Sequence, residues 1–167
     1  MTPSDAPQGT PDRSDLGARA RGTLAALRIY LGLIFLIAVV PKFSGDFAPR
    51  LSGFLSSVSL TQTHPFYRAF LTTTVMPHLR VFAWLVKGGE LLVAVSLIGG
   101  LATRLGALVA LALTLNYMFA KGAWFWFPSS NDGAFAVLAL ALIIARAGRT
   151  CGLDSYLARR WPRGPLW

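Results

Sequence analysis

The chain has 167 residues, of which 54% are hydrophobic and only 14% charged, and it carries a formal net charge of +9. A soluble domain of this size holds roughly 25% charged residues, so this balance, with a mean hydropathy of +0.53, indicates an integral membrane protein built as one domain. The positive charge does not point to nucleic acid, because the arginines flank apolar runs instead of forming a stripe with interleaved aromatics.

Residues 1–22 are rich in Pro, Asp, Ser, Gly and Arg. They bury too little apolar surface to fold, and a disordered tail is expected there. They do not read as a signal peptide, since the apolar run begins late and lacks a small-residue cleavage site. A membrane domain is expected over residues 23–158, with a basic tail over 159–167. Four apolar spans lie at residues 24–41, 81–100, 102–120 and 130–148. Each has about the 17–25 residues needed to cross the hydrocarbon, where the backbone must satisfy its own hydrogen bonds. The fold predicted is all-α, a four-transmembrane-helix bundle. The second and third spans are joined only by the turn around Gly99, Gly100 and Leu101, which makes them an antiparallel hairpin. The fourth has the shortest apolar core, residues 134–145. Asn131 and Asp132 sit at its outer end, where their side chains suit a cap and the positive end of the helix dipole.

The segment from 43 to 80 is too long to be structureless. Phe47, Leu51, Phe54, Leu55 and Val58 recur at helical spacing, as do Phe66, Phe70 and residues 71–75. Pro65 suits a helix start and Pro77 a break. Two short amphipathic helices at the outer leaflet are predicted, either as a plain lid or with a role in admitting a ligand. Placing both termini and the 99–104 turn on one side puts ten cations there against five on the other. That bias predicts both termini in the cytoplasm.

The most unusual feature is a pair of opposite charges, Lys87 and Glu90, inside the span VFAWLVKGGELLVAVSLIGG. An ionisable group at bilayer depth costs roughly 2.5–3.5 kcal/mol. Three residues apart on a helix, the two share a face and are expected to pair. Gly88 and Gly89 leave room beside them for a helix or a ligand. Counting outward from the hairpin turn at 1.5 Å per residue, roughly, puts Lys87 and Asn116 at similar depth. Lys42, Lys121, Asn131 and Asp132 stand at span ends on the same side. Two readings are open. In one, Glu90 and Lys87 exchange protons with a polar head group in an outward-open cavity, and Asn116, Asn131, Asp132, Lys42 and Lys121 help to bind it. In the other, these residues are interhelical hydrogen-bonding glue, snorkelling lysines and caps.

Toward the opposite end, Arg28 reads as structural, snorkelling to the interface. Arg149 and Asp154 read as a pair tying the C-terminal segment to the inner surface. The single cysteine, Cys151, allows no intrachain disulfide or dithiol cycle; it is a small apolar residue or a thiolate near Arg146 and Arg149. His64 and His78 lie in one loop, and no converging ligand set forms a metal, haem or flavin motif.

In span order, Arg28, Gly32, Phe35 and Lys42 resemble an R-x3-G-x2-F…K run of the DoxX family of small bacterial four-helix membrane proteins. HPFYRAFLTTTVMPH, then GGELLVAVSLIGGLATR with Glu90, Gly99, Gly100, Thr103 and Arg104, extend the likeness. So do Asn116 with Tyr117, Asn131 with Asp132, and AGRTCGLD with Gly148, Gly152, Leu153 and Asp154. The resemblance covers about residues 25–160. It implies a bacterial plasma-membrane protein with a link to quinone-coupled oxidation of sulfur compounds, as in the DoxD-type subunit of thiosulfate:quinone oxidoreductase, or to thiol and oxidative-stress systems. Quinone is then the candidate ligand. The alternatives are a non-catalytic scaffold docking a redox protein through residues 43–80, alone or as a homo-oligomer, and a small-anion transporter. An internal repeat that would support alternating access is missing from the sequence.

Overall fold

A computed structural model describes residues 13–126, 130–149 and 152–160. Among them the chain is entirely helical, with α1 (Arg13–Phe43), α2 (Phe47–Phe54), α3 (Leu60–Gln62), α4 (Pro65–Phe70), α5 (Leu79–Gly99), α6 (Thr103–Ala120), α7 (Asp132–Ile144) and α8 (Leu153–Arg160). Wider π-helical turns, Leu55–Ser59 and Leu71–Val75, continue α2 and α4.

The four longer apolar helices form a closed ring. α1 packs on α5, α5 on α6, α6 on α7, and α7 returns to α1. α1, α5 and α6 are each long and apolar enough to cross a membrane. α7 has 13 residues and rises about 20 Å, against a hydrocarbon core of about 30 Å. It is shorter than the predicted 130–148 because Arg146 takes a positive φ of 48°, and the chain resumes only as a 3-10 turn over Ala147–Arg149.

The tail boundary also differs from expectation. α1 begins at Arg13, so residues 13–22 are helical. Extending an existing helix needs no new nucleus, and the Ala, Arg and Leu of this stretch favour it. At the other end, α8 continues through Arg159 and Arg160. Residues 1–12, residues 161–167 and Cys151 lie outside the described residues, as do the side chains of Val58 and Arg149.

Lipid removes the hydrophobic drive between helices, so close packing of small residues must hold them together. A Cβ on Gly32 would lie 2.8 Å from Ile98 Cγ1 and 3.0 Å from its backbone nitrogen, which shows how near α1 runs to α5. A Cβ on Gly106 would collide with Ser96, where α6 meets α5. Leu31, Phe35, Val93, Ala94, Leu97, Ala107, Ala110, Ala139 and Leu142 fill the centre. Large apolar side chains such as Ile37, Trp84, Val95, Val137 and Ile144 face outward, as a lipid-facing surface requires. The hairpin turn uses Gly100 at φ 65° and Ala102 at φ 48°, and Ser96 Oγ donates to the Leu101 and Ala102 carbonyls at 2.7 and 3.1 Å.

The segment between α1 and α5 folds back over the end of the bundle. Asp46 caps α2 by accepting from the Ala48 amide at 3.0 Å. Pro65 occupies the first turn of α4, where its missing N–H is not needed. Leu55, Leu71 and Val75 are buried in a second small apolar cluster with Leu51, Tyr67, Met76, Leu79 and Phe82. These are the short loop helices the sequence predicted.

Candidate functional site

Beneath this folded segment lies a cavity of about 550 Å³, within the range of small-molecule sites. Ala38 and Lys42 of α1, Phe82, Leu85, Val86 and Glu90 of α5, and Leu113, Asn116, Tyr117, Ala120 and Lys121 at or beside α6 form its walls and floor. Phe47, Arg50, Leu51, Phe54, Leu55, Phe70, Leu71 and Val75 roof it.

Glu90 is the most buried of the charged groups that line the cavity, 1% exposed. Its carboxylate accepts from Lys42 Nζ in an ion pair and from the Tyr117 hydroxyl at 2.7 Å. Side chains on a helix lean toward its N-terminus. α1 and α5 run in opposite directions, so Lys42 leans into the bundle while Glu90 leans out, and they meet. Glu90 is taken by Lys42 and Tyr117, and the expected Lys87–Glu90 pair is not formed. The Lys87 ammonium instead sits 3.7 Å from the centroid of the Trp84 ring and 5.4 Å from that of Phe43, a cation–π arrangement, and Lys87 does not line the cavity. Of the two glycines beside the charges, Gly89 faces α6, where a Cβ would touch Leu113 Cδ1 at 3.3 Å, while Gly88 has open space.

Asn116 lies in the wall, and its Oδ1 accepts from the Tyr67 hydroxyl of the roof. A second tie runs from Thr63 Oγ1 to the Phe119 carbonyl at 2.6 Å. Burial pushes the Tyr67 phenol up to about 12 from 10.0. At the rim, Lys121 Nζ lies 2.7 Å from Asp132 Oδ2, which also accepts from Ser130 Oγ at 2.7 Å. Asp132 stands just behind the cavity wall. Asn131 is exposed at the start of α7, and its side chain makes no capping bond. The capping role expected of Asn131 and Asp132 is not seen, because Asp132 is committed to Lys121 and Ser130.

The structure thus brings Lys42, Glu90, Asn116 and Lys121 to one cavity and leaves Lys87 and Asn131 outside it. It adds Tyr117 and Arg50 to the lining and Tyr67 as the roof's tie to Asn116, none of which the sequence reading places in a site. Tyr117 carries a usable signal, since on α6 it leans toward the hairpin turn and hence toward Glu90's level. Tyr67 and Arg50 carry none, because their positions depend on how the roof folds back.

At the hairpin end the arrangement is different. Arg28 is 1% exposed, so it does not snorkel; its Nη1 reaches the Ala147 carbonyl at 3.5 Å. Asp154 is fully buried. It accepts from the Ala102 and Thr103 amides at 2.7 and 2.8 Å, capping α6, and its own amide donates to Gly100 at 2.7 Å. Its anchors are thus backbone groups; the expected Arg149 partner falls on a side chain outside the described ones. Among the described residues no group of His, Cys, Asp and Glu is gathered for a metal ion.

Chemically, the cavity joins an apolar body to a floor where one carboxylate accepts hydrogen bonds from an amine and a phenol, groups of the kind used in general acid–base chemistry.

The model of the DoxX family matches residues 23–123. That stretch contains α5, α6 and the whole roof, and all the cavity-lining residues. No curated protein and no solved structure gave a significant match. The matched segment covers more than half of the chain, and the chain belongs to the DoxX family.

Proposed function

We propose that this protein is the membrane subunit of a quinone-linked oxidoreductase, and that the cavity over Glu90 receives the quinone head group. The observation that supports this most is a carboxylate 1% exposed that borders an apolar, aromatic-lined cavity and holds two proton donors, Lys42 and Tyr117. Intramembrane ionisable groups in such settings mark proton and substrate sites. Reduction of a quinone to a quinol takes two electrons and two protons. Lys42 and Tyr117 supply hydrogen bonds to the ring oxygens, Glu90 passes protons between them, and Asn116 orients the head group. Lys121, with Asp132 behind it, stands at the rim. The electrons come from a sulfur compound or from two thiols, which leave joined as a disulfide and release two protons. With the arginine-rich end in the cytoplasm of a bacterial plasma membrane, the cavity opens on the opposite side.

The test is quinone content. Protein purified in mild detergent from its native membrane is extracted with organic solvent, and quinone per chain is measured beside Glu90→Gln. Near-stoichiometric quinone that falls in the folded variant supports the reading. Quinone at the level of the lipid background in both proteins contradicts it.

A further inference from the structure

Three cations line the cavity, Lys42, Arg50 and Lys121, against one carboxylate, Glu90. Lys42 is committed to Glu90 and Lys121 to Asp132. Arg50 is different. Among the described residues no carboxylate stands within ion-pair distance of it. Its Nη2 donates to the Pro41 and Ser44 carbonyls at 2.9 and 2.8 Å, and its guanidinium carbon lies 6.0 Å from the centroid of the Phe47 ring. These contacts hold the guanidinium at the place where α1 gives way to α2. They fix its position without neutralising its charge. A guanidinium held by one nitrogen keeps further N–H donors for an anion, in a geometry that matches a carboxylate. Behind it the cavity is walled by Phe47, Leu51, Phe54, Phe70 and Phe82. One uncompensated positive charge at the edge of an apolar chamber fits one ligand class: a single negative charge on an apolar chain.

We propose that Arg50 binds the carboxylate of a long-chain, single-chain anionic amphiphile, a fatty acid drawn from the bilayer, whose chain enters the cavity. This does not rest on the quinone reading, since a neutral quinone has no charge for Arg50 to meet. The two ligands share the chamber and exclude one another, so the fatty acid occupies or regulates the same site.

The experiment uses the full chain in phosphatidylcholine nanodiscs and a fluorescent polyene fatty acid as the probe, with its methyl ester as the neutral control. The acid is expected to bind more tightly than the ester by roughly tenfold or more, the contribution of a charge-assisted hydrogen bond. Arg50→Gln should bring the acid down to the level of the ester and leave ester binding unchanged. Arg50→Lys keeps the charge and should retain part of the preference, which separates charge from any loss of fold in the glutamine variant. Acetate should not displace the probe. Equal binding of acid and ester, a preference that survives in folded Arg50→Gln, or displacement by acetate would overturn the proposal. Loss of acid binding when the nanodisc contains phosphatidylglycerol would assign the charge to a lipid phosphate and overturn the single-chain ligand. Failure of this test leaves quinone content untouched, and absence of quinone leaves this preference untouched.

Discussion

Glu90 and Asp154 are both buried carboxylates, 1% and 0% exposed, at opposite ends of one helix bundle, and their surroundings differ in kind. Asp154 meets backbone amides at 2.7 and 2.8 Å. Glycines crowd around it: a Cβ on Gly148 would collide with its Oδ2, and one on Gly152 would lie 2.6 Å from Arg28 Nη1. The void beside it amounts to about 10 Å³, barely one water. Glu90 meets side chains that can give up or accept a proton, and it borders about 550 Å³ of cavity. A buried acid satisfied by backbone in a filled space is a structural device. One satisfied by an amine and a phenol beside an open space is available for chemistry.

Substitutions at the two ends should therefore fail in different ways. The largest effect on stability is expected from Asp154→Ala, which leaves the Ala102 and Thr103 amides without their acceptor at a cost of about 1–3 kcal/mol each. Thermal unfolding in detergent should show a much larger drop in Tm than for Glu90→Gln. An equal drop for both would erase the distinction between the ends. Gly106→Val comes next. Its added methyls enter space held by Ser96, and overpacking of this kind costs about 1–3 kcal/mol; the same unfolding assay reads it, and quinone content per folded chain should not change.

Tyr67→Phe should have the smallest effect on the fold, about 0.5–1.5 kcal/mol for one lost hydrogen bond to Asn116. Its consequence belongs to the cavity, because the roof loses a tie and bound ligand should exchange faster. The pH dependence has a definite sign. Burial in the folded protein pushes the phenol up from 10.0 to about 12. Its contribution is complete below pH 10 and is lost as pH rises through about 12. Ligand off-rates should rise over that window in the native protein and stay flat in Tyr67→Phe. A rise of the same size in the variant would locate the titrating group elsewhere.

The bundle was legible in the sequence because lipid leaves the backbone few choices. Apolar run length gave the helices, and Gly99–Gly100 gave the hairpin. Pro65 marked the start of a roof helix. What was not legible were the contacts that depend on the direction of side chains. Spacing alone puts Lys87 and Glu90 on one face, yet the lean of side chains along antiparallel helices gives Glu90 to Lys42, 48 residues away. Arg28 reads as a snorkelling residue in the sequence because a group that it meets, the Ala147 carbonyl, is a backbone atom 119 residues away. The early start of α1 was missed because composition reports burial, and a helix can project from a bundle without burying anything.

Photolabelling with an azido-quinone asks directly whether the Glu90 end of the bundle receives a redox-active head group. The label is cross-linked in membranes, and the modified peptides are read by mass spectrometry, with unlabelled quinone as competitor. Competable label is expected on the segments carrying Phe47 to Leu55, Phe82 to Glu90 and Leu113 to Lys121, and it should be lost in Glu90→Gln. Label confined to the lipid-facing residues Ile37, Val95 and Ile144, or label indifferent to Glu90, would contradict it.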